Sequence, residues 1–195
     1  MTTDSHDPHL LVARGDPSRA EVVLVPREAL APGALRVRID RFGLTTNNVT
    51  YAAVGEAFHY FKFFPPPAPL AAEGWAGLPV WGLGTVVESR APSIAVGAGV
   101  YGFFPAAGHA VLTPAREGGI GFTVERPQVP REFSIYNQYA LADRDPFHAE
   151  GVDEWVVVFR PLFLTGLLLA DQLAAFDFHG AGAVVVSSAS SKTAY

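Results

Sequence analysis

Six consecutive positions, Leu35-Arg36-Val37-Arg38-Ile39-Asp40, alternate apolar and charged. That period of two predicts a strand with one face on a core and one in solvent. A weaker alternation over residues 21–25 is broken by Pro26 and by the turn group Ala31-Pro32-Gly33. Residues 84–89, 100–104 and 108–113 are rich in β-formers and stand between turn signals. Short strands at such spacing predict a barrel or a sandwich. Pro65-Pro66-Pro67 and Pro69 predict a stiff, extended surface segment between them.

The texture changes near Trp155. Pro161 suits a first helical turn, where its missing N–H goes unused, and residues 162–178 then run almost wholly apolar. The pattern predicts a buried helix with Gly166 as its weak point. After the turn His179-Gly180-Ala181-Gly182, the run Ala183-Val184-Val185-Val186 predicts a strand covered on both faces. A small-residue loop follows. Helix, turn, buried strand and small-residue loop is the order in which a parallel α/β domain opens. Arg160, Pro161, Asp171 and Asp177 interrupt the apolar stretch, so no uninterrupted run approaches the ~20 residues of a membrane span. Residues 1–9 are polar and lack the basic start and apolar run of a signal peptide. The expectation is a soluble, cytoplasmic protein with no membrane partner.

Composition narrows the picture. The chain has 195 residues, 49% hydrophobic and 17% charged, enough for a sizeable core. Glycine (19) and proline (16) exceed the usual share, which fits a turn-rich β domain. A net charge of −5 argues against nucleic-acid partners. The absence of cysteine removes disulfides, thiolate zinc sites, iron–sulfur clusters and cysteine nucleophiles. The six histidines have no ligand spacing: His6 and His9 lie in the polar tail, while His59, His109, His148 and His179 are scattered. No metal site is expected.

Candidate chemistry concentrates in residues 187–193. Small residues after a buried strand let a phosphate approach the backbone, and a following helix start would offer it free amides. Lys192-Thr193 matches the end of a P-loop, but Val186 and Ser191 stand where that motif needs glycine. A dinucleotide-binding turn and a purely structural serine-rich turn both stay open. Tyr51, Tyr60 and Tyr101 are either aromatic packing or proton donors in a cleft. Neither lysine, Lys62 or Lys192, has a tyrosine four positions earlier, and there is no Gly-x-Ser-x-Gly elbow. Hydrolysis finds no support.

Several segments carry a resemblance in order. Residues 35–40 with Phe42-Gly43-Leu44-Thr45-Thr46-Asn47-Asn48 are similar to a strand followed by Gly-Leu-Asn-Pro-x-Asp. Residues 78–87 resemble a Pro-Gly-x-x-x-x-Gly-x-Val segment, and Val96-Gly97-Ala98-Gly99-Val100-Tyr101-Gly102 a Val-Gly-Asp-Arg-Val-x-Gly turn. Residues 161–178 resemble the helix before a cofactor domain, and residues 183–195 its first strand and phosphate turn. These are motifs of the medium-chain dehydrogenase/reductase superfamily, and the Asn47-Asn48 and Ser-Ser-Lys-Thr-Ala variants resemble an offshoot classed as a domain of unknown function. Val80 and Trp81 occupy the place of the zinc branch's Gly-His-Glu motif and cannot bind a metal, so the resemblance is to the zinc-free branch.

The resemblance implies a polar tail (residues 1–20), a mainly β, chaperonin-10-like barrel (21–155) and the opening helix and strand of a truncated α/β Rossmann domain (156–195). It implies the N-terminal part of a zinc-independent, NAD(P)H-dependent oxidoreductase acting on a small carbonyl or activated alkene. Asn48, Asn47, Thr45 and Tyr60 would orient the substrate. Thr165, Ser188, Ala189, Ser190, Ser191, Lys192 and Thr193 would face the cofactor. NADP(H) is expected for a full-length parent, as is room for a homodimer, while this chain alone is expected to bind no cofactor and to be inactive. The rival is a non-catalytic barrel that binds an apolar ligand or a protein partner through residues 61–69.

Overall fold

A computed structural model of the chain describes residues 5–187, 190, 191, 193 and 194. Strand β1 (His6–Ala13) forms a hairpin with β2 (Asp16–Pro26), and its other edge pairs with β4 (Trp75–Gly77). The remaining strands are β3 (Leu35–Phe42), β5 (Pro79–Ser89), β6 (Gly99–Pro105), β7 (His109–Leu112), β8 (Pro114–Glu117), β9 (Gly121–Val124) and β10 (Gln138–Leu141). They make one antiparallel sheet in the order β7-β3-β5-β6-β10-β9-β8. The helices are α1 (Thr46–Ala53), α2 (Ala68–Ala72) and α3 (Asp153–Ala175). The fold is mainly β.

The two sheets share a core. β4 leads into β5 through Leu78, the Leu10 N–H donates to the Ala106 carbonyl at 2.8 Å, and the Gly108 N–H to the Pro8 carbonyl at 3.0 Å. The large sheet therefore curls, and Val37, Val80, Val86, Val100 and Phe103 are fully buried inside it. The alternation at residues 35–40 is realised with one exception. Arg36 is buried, and its guanidinium reaches Glu88 at 3.2 Å and the Glu28 carbonyl at 2.6 Å.

Four expectations change. Of the tail expected over residues 1–20, the described part from His6 on is not a tail: residues 6–13 and 16–26 form the hairpin, and Asp7 is buried, taking hydrogen bonds from the His109 N–H (2.8 Å) and ring Nδ1 (2.7 Å). Polar residues hid this strand because their inward partners lie about a hundred residues away. The proline segment is not wholly extended, since Pro69 falls in the first turn of α2. Phe61 and Phe63 are core residues, which strips the rival's binding face of its apolar anchors.

The fourth change concerns α3. It begins eight residues before Pro161, so the boundary expected at 155/156 falls inside it. Pro161 in a helix interior leaves the Val157 carbonyl without its N–H donor. Gly43 packs against that carbonyl so closely that a Cβ there would lie 2.8 Å from its oxygen. Nor is the helix buried: Val157 is its one buried residue, and Trp155, Phe163, Leu167, Leu168 and Leu169 are exposed. By length and composition α3 could cross a membrane, because the helix continues through Arg160 and Pro161, which the sequence reading treated as breaks. The run at residues 183–186 forms no strand, and Val185 is 93% exposed. No described strand lies alongside it to share its hydrogen bonds.

Candidate functional site

The loop after β3 turns into α1 through a reciprocal cap. The Thr45 hydroxyl accepts from the Asn47 N–H at 3.3 Å, and the Asn48 Oδ1 accepts from the Thr45 N–H at 2.7 Å. The Asn48 Nδ2 donates to the Pro79 carbonyl at 3.1 Å. Asn48 is 5% exposed, so both ends of its amide are occupied in joining α1 to β5. Thr45 and Asn48 line a small cleft of about 20 Å³ against α3 and do not line the main cavity. Asn47, one position earlier, also reaches the main cavity.

That cavity has a volume of about 390 Å³, within the range of small-molecule sites. It lies between α1, α3, the β8–β9 turn and the 3₁₀ turn Arg131–Asn137. Its wall is aromatic. The Tyr51 and Tyr60 rings lie 4.4 Å apart, Trp81 stacks on Tyr101 at 5.7 Å, and Tyr136 meets Tyr60 edge-on at 5.9 Å. The Tyr60 and Tyr136 hydroxyls are 3.4 Å apart. His59, at φ 60, opens the 3₁₀ turn that carries Tyr60.

Burial keeps three of the phenols, Tyr51, Tyr101 and Tyr136, protonated. Burial, aided by neighbouring Tyr60, pushes the Tyr51 hydroxyl up to about 12. Burial also raises Tyr101 and Tyr136 well above the usual phenol range. At neutral pH they are hydrogen-bond donors, not bases.

One cation completes the wall. Arg160 on α3 lies over the Tyr101 ring at 4.1 Å and the Phe147 ring at 5.1 Å. Its Nη1 donates to Asp145, a carboxylate that is 7% exposed and also accepts from the Phe147 N–H at 3.1 Å. The Tyr101 hydroxyl is buried with no hydrogen-bond partner among the described residues. Sequence reasoning missed Arg160, Asp145 and Tyr136. The available signal was an arginine held inside an apolar stretch, which needs a buried acid to sit there.

The residues expected to face a cofactor are not assembled as a group. Thr165 lines the cavity, and its hydroxyl donates to the Pro161 carbonyl at 2.9 Å. Ser190 and Ser191 are exposed. Thr193 brings its carbonyl against Gly166, within 2.7 Å of where a Cβ would stand, so that glycine is a close-approach point. Ser188, Ala189 and Lys192 lie outside the described residues. A dinucleotide needs a strand, a turn and the amides of a following helix. The described residues supply none of these after position 182, so they do not fit a dinucleotide. Among the described residues no cluster of three metal-ligating side chains occurs.

A family model described as a protein of unknown function (DUF2855) matches residues 42–195. No curated protein matches the chain. Among solved structures it is similar to the mitochondrial 2-enoyl thioester reductase Etr1p/Etr2p heterodimer from Candida tropicalis, at 16% identity and a TM-score of 0.38. That similarity covers 54% of this chain and 31% of the other, so the chain spans about a third of that protein's length. The family match runs from the end of β3 through the cap, the cavity wall and α3, and on that ground the chain belongs to the DUF2855 family.

Proposed function

We propose that the cavity is the substrate pocket of a zinc-independent oxidoreductase that acts on a carbonyl or an activated alkene. The observation that carries this reading is an aromatic cavity whose Tyr51, Tyr101 and Tyr136 phenols are held protonated beside Asn47, on the motif that resembles the superfamily's substrate loop. Reduction of a carbonyl places negative charge on its oxygen. Fixed donors aimed at that oxygen lower the barrier most in a dry site. Tyr60 and Tyr136 supply such donors, Asn47 a neutral amide, and Trp81 and Tyr101 flat surfaces that hold a planar substrate. A nicotinamide, NADP(H) in this reading, would supply the hydride. The described residues do not assemble its cradle, and the chain's own part is to bind, orient and polarise the substrate.

Isotope-edited infrared spectroscopy of bound 2-acetonaphthone tests this directly. The carbonyl stretch should move to lower frequency on binding, and Tyr60→Phe with Tyr136→Phe should abolish the shift. A ketone that binds with its stretch unmoved would leave an apolar pocket and remove the oxidoreductase reading.

A further inference from the structure

The charges around the cavity and the rim at its mouth bear on which substrates it takes, an inference that rests on the carbonyl reading above. Among the described residues Arg160 is the one cation in the wall, and no carboxylate lines it. Asp145 balances that cation one to one from behind. An anionic ligand drawn to Arg160 would compete with Asp145 and strand a carboxylate whose side chain is only 3% exposed. A cationic ligand would find attractive ring faces, but it would meet Arg160 in the same low-dielectric wall.

The rim points the same way. Gly118 and Gly119 line the cavity at the β8–β9 turn. Neither has a positive φ, and a Cβ at either would meet nothing within 4 Å. Gly121 differs, since its Cβ would collide with the Tyr139 carbonyl at 2.0 Å. Backbone geometry and packing therefore require glycine at 121 but not at 118 or 119, where the missing side chains leave the mouth open.

We propose that this cavity selects uncharged, flat, conjugated carbonyl compounds, admitted past the Gly118–Gly119 rim and laid against its rings beside Arg160, whose charge Asp145 already balances. Three ligands of one shape test it by calorimetry: 2-acetonaphthone, 2-naphthoate and 2-naphthylmethylammonium. The ketone should bind at least tenfold more tightly than either ion. Gly119→Trp should weaken the ketone at least tenfold with an unchanged melting temperature, while Gly182→Trp, equally open but outside the cavity wall, should leave binding intact. Equal or tighter binding of either ion, no binding by any of the three, or a Gly119→Trp variant that binds normally would overturn the proposal. A ketone that binds selectively but with an unshifted carbonyl stretch defeats the oxidoreductase reading alone, whereas a shifted stretch with naphthoate preferred defeats charge selection alone.

Discussion

Replacing Asp145 by asparagine isolates the charge balance behind the cavity. The amide keeps the shape and can still accept from the Phe147 N–H, so the change is close to the loss of one negative charge. Arg160, with a side chain 16% exposed, then carries an unbalanced charge against two aromatic rings. Removing one partner of a buried pair costs about 3–5 kcal/mol. The ring faces and the retained hydrogen bond reduce that, and a loss of about 2–3 kcal/mol is expected in urea unfolding. The same change should invert ligand preference, because an anion can now take the place of Asp145. In the variant, 2-naphthoate should bind better than 2-acetonaphthone and return stability by mass action, about 2.7 kcal/mol at a hundred times its Kd. Calorimetry and unfolding with and without naphthoate read both effects. If naphthoate binding is unchanged while stability falls, Arg160 is a purely structural cation and does not reach the ligand.

Asn48→Ala should cost roughly 2 kcal/mol in urea unfolding, from the lost cap and the orphaned Pro79 carbonyl, and leave ketone affinity unchanged. Hydrogen bonds from His9 and His109 outweigh the opposing effect of burial and hold Asp7 at about 2, below its ordinary 3.8. Its contribution, roughly 2 kcal/mol, is therefore present above pH 4 and lost as pH falls toward 2, and Asp7→Asn should flatten that part of the stability profile. Gly43→Ala should force the β3–α1 loop from the Val157 carbonyl, destabilise the protein by about 1–3 kcal/mol and speed amide exchange around Val157. NADPH titrated by calorimetry against the 195-residue chain should give no micromolar isotherm, since residues 183–186 form no strand to carry a phosphate turn.

What the chain reveals by pattern depends on where each residue's partners lie. β3 is legible because side chains on a strand alternate between core and solvent whatever stands beside them, and β6, buried along almost its whole length, because it is rich in β-formers. β1 is not, because Asp7 and His9 look like surface residues until β7 brings His109 to them. The start of α3 is hidden for a related reason. A proline at a first turn and a proline inside a helix read alike, and what separates them here is Gly43, more than a hundred residues earlier, packed on the freed carbonyl.

The site divides along the same line. Asn47 and Tyr60 line the cavity from α1 and from the 3₁₀ turn after it, the first named by the motif that follows β3 and the second only as a tyrosine able to donate in a cleft. Asn48 reads as unusual in the chain, but its role as a link between α1 and β5 does not, since its second partner, Pro79, lies in another strand. Arg160 and Asp145 each read as incidental, one as a break in an apolar run and the other as a loop acid. Their pairing under Tyr101 converts them into the groups that set the cavity's charge. A residue that looks misplaced in its own segment is thus the one whose role is decided by a distant segment. In this chain the arginine within an apolar helix is the residue on which ligand selection turns.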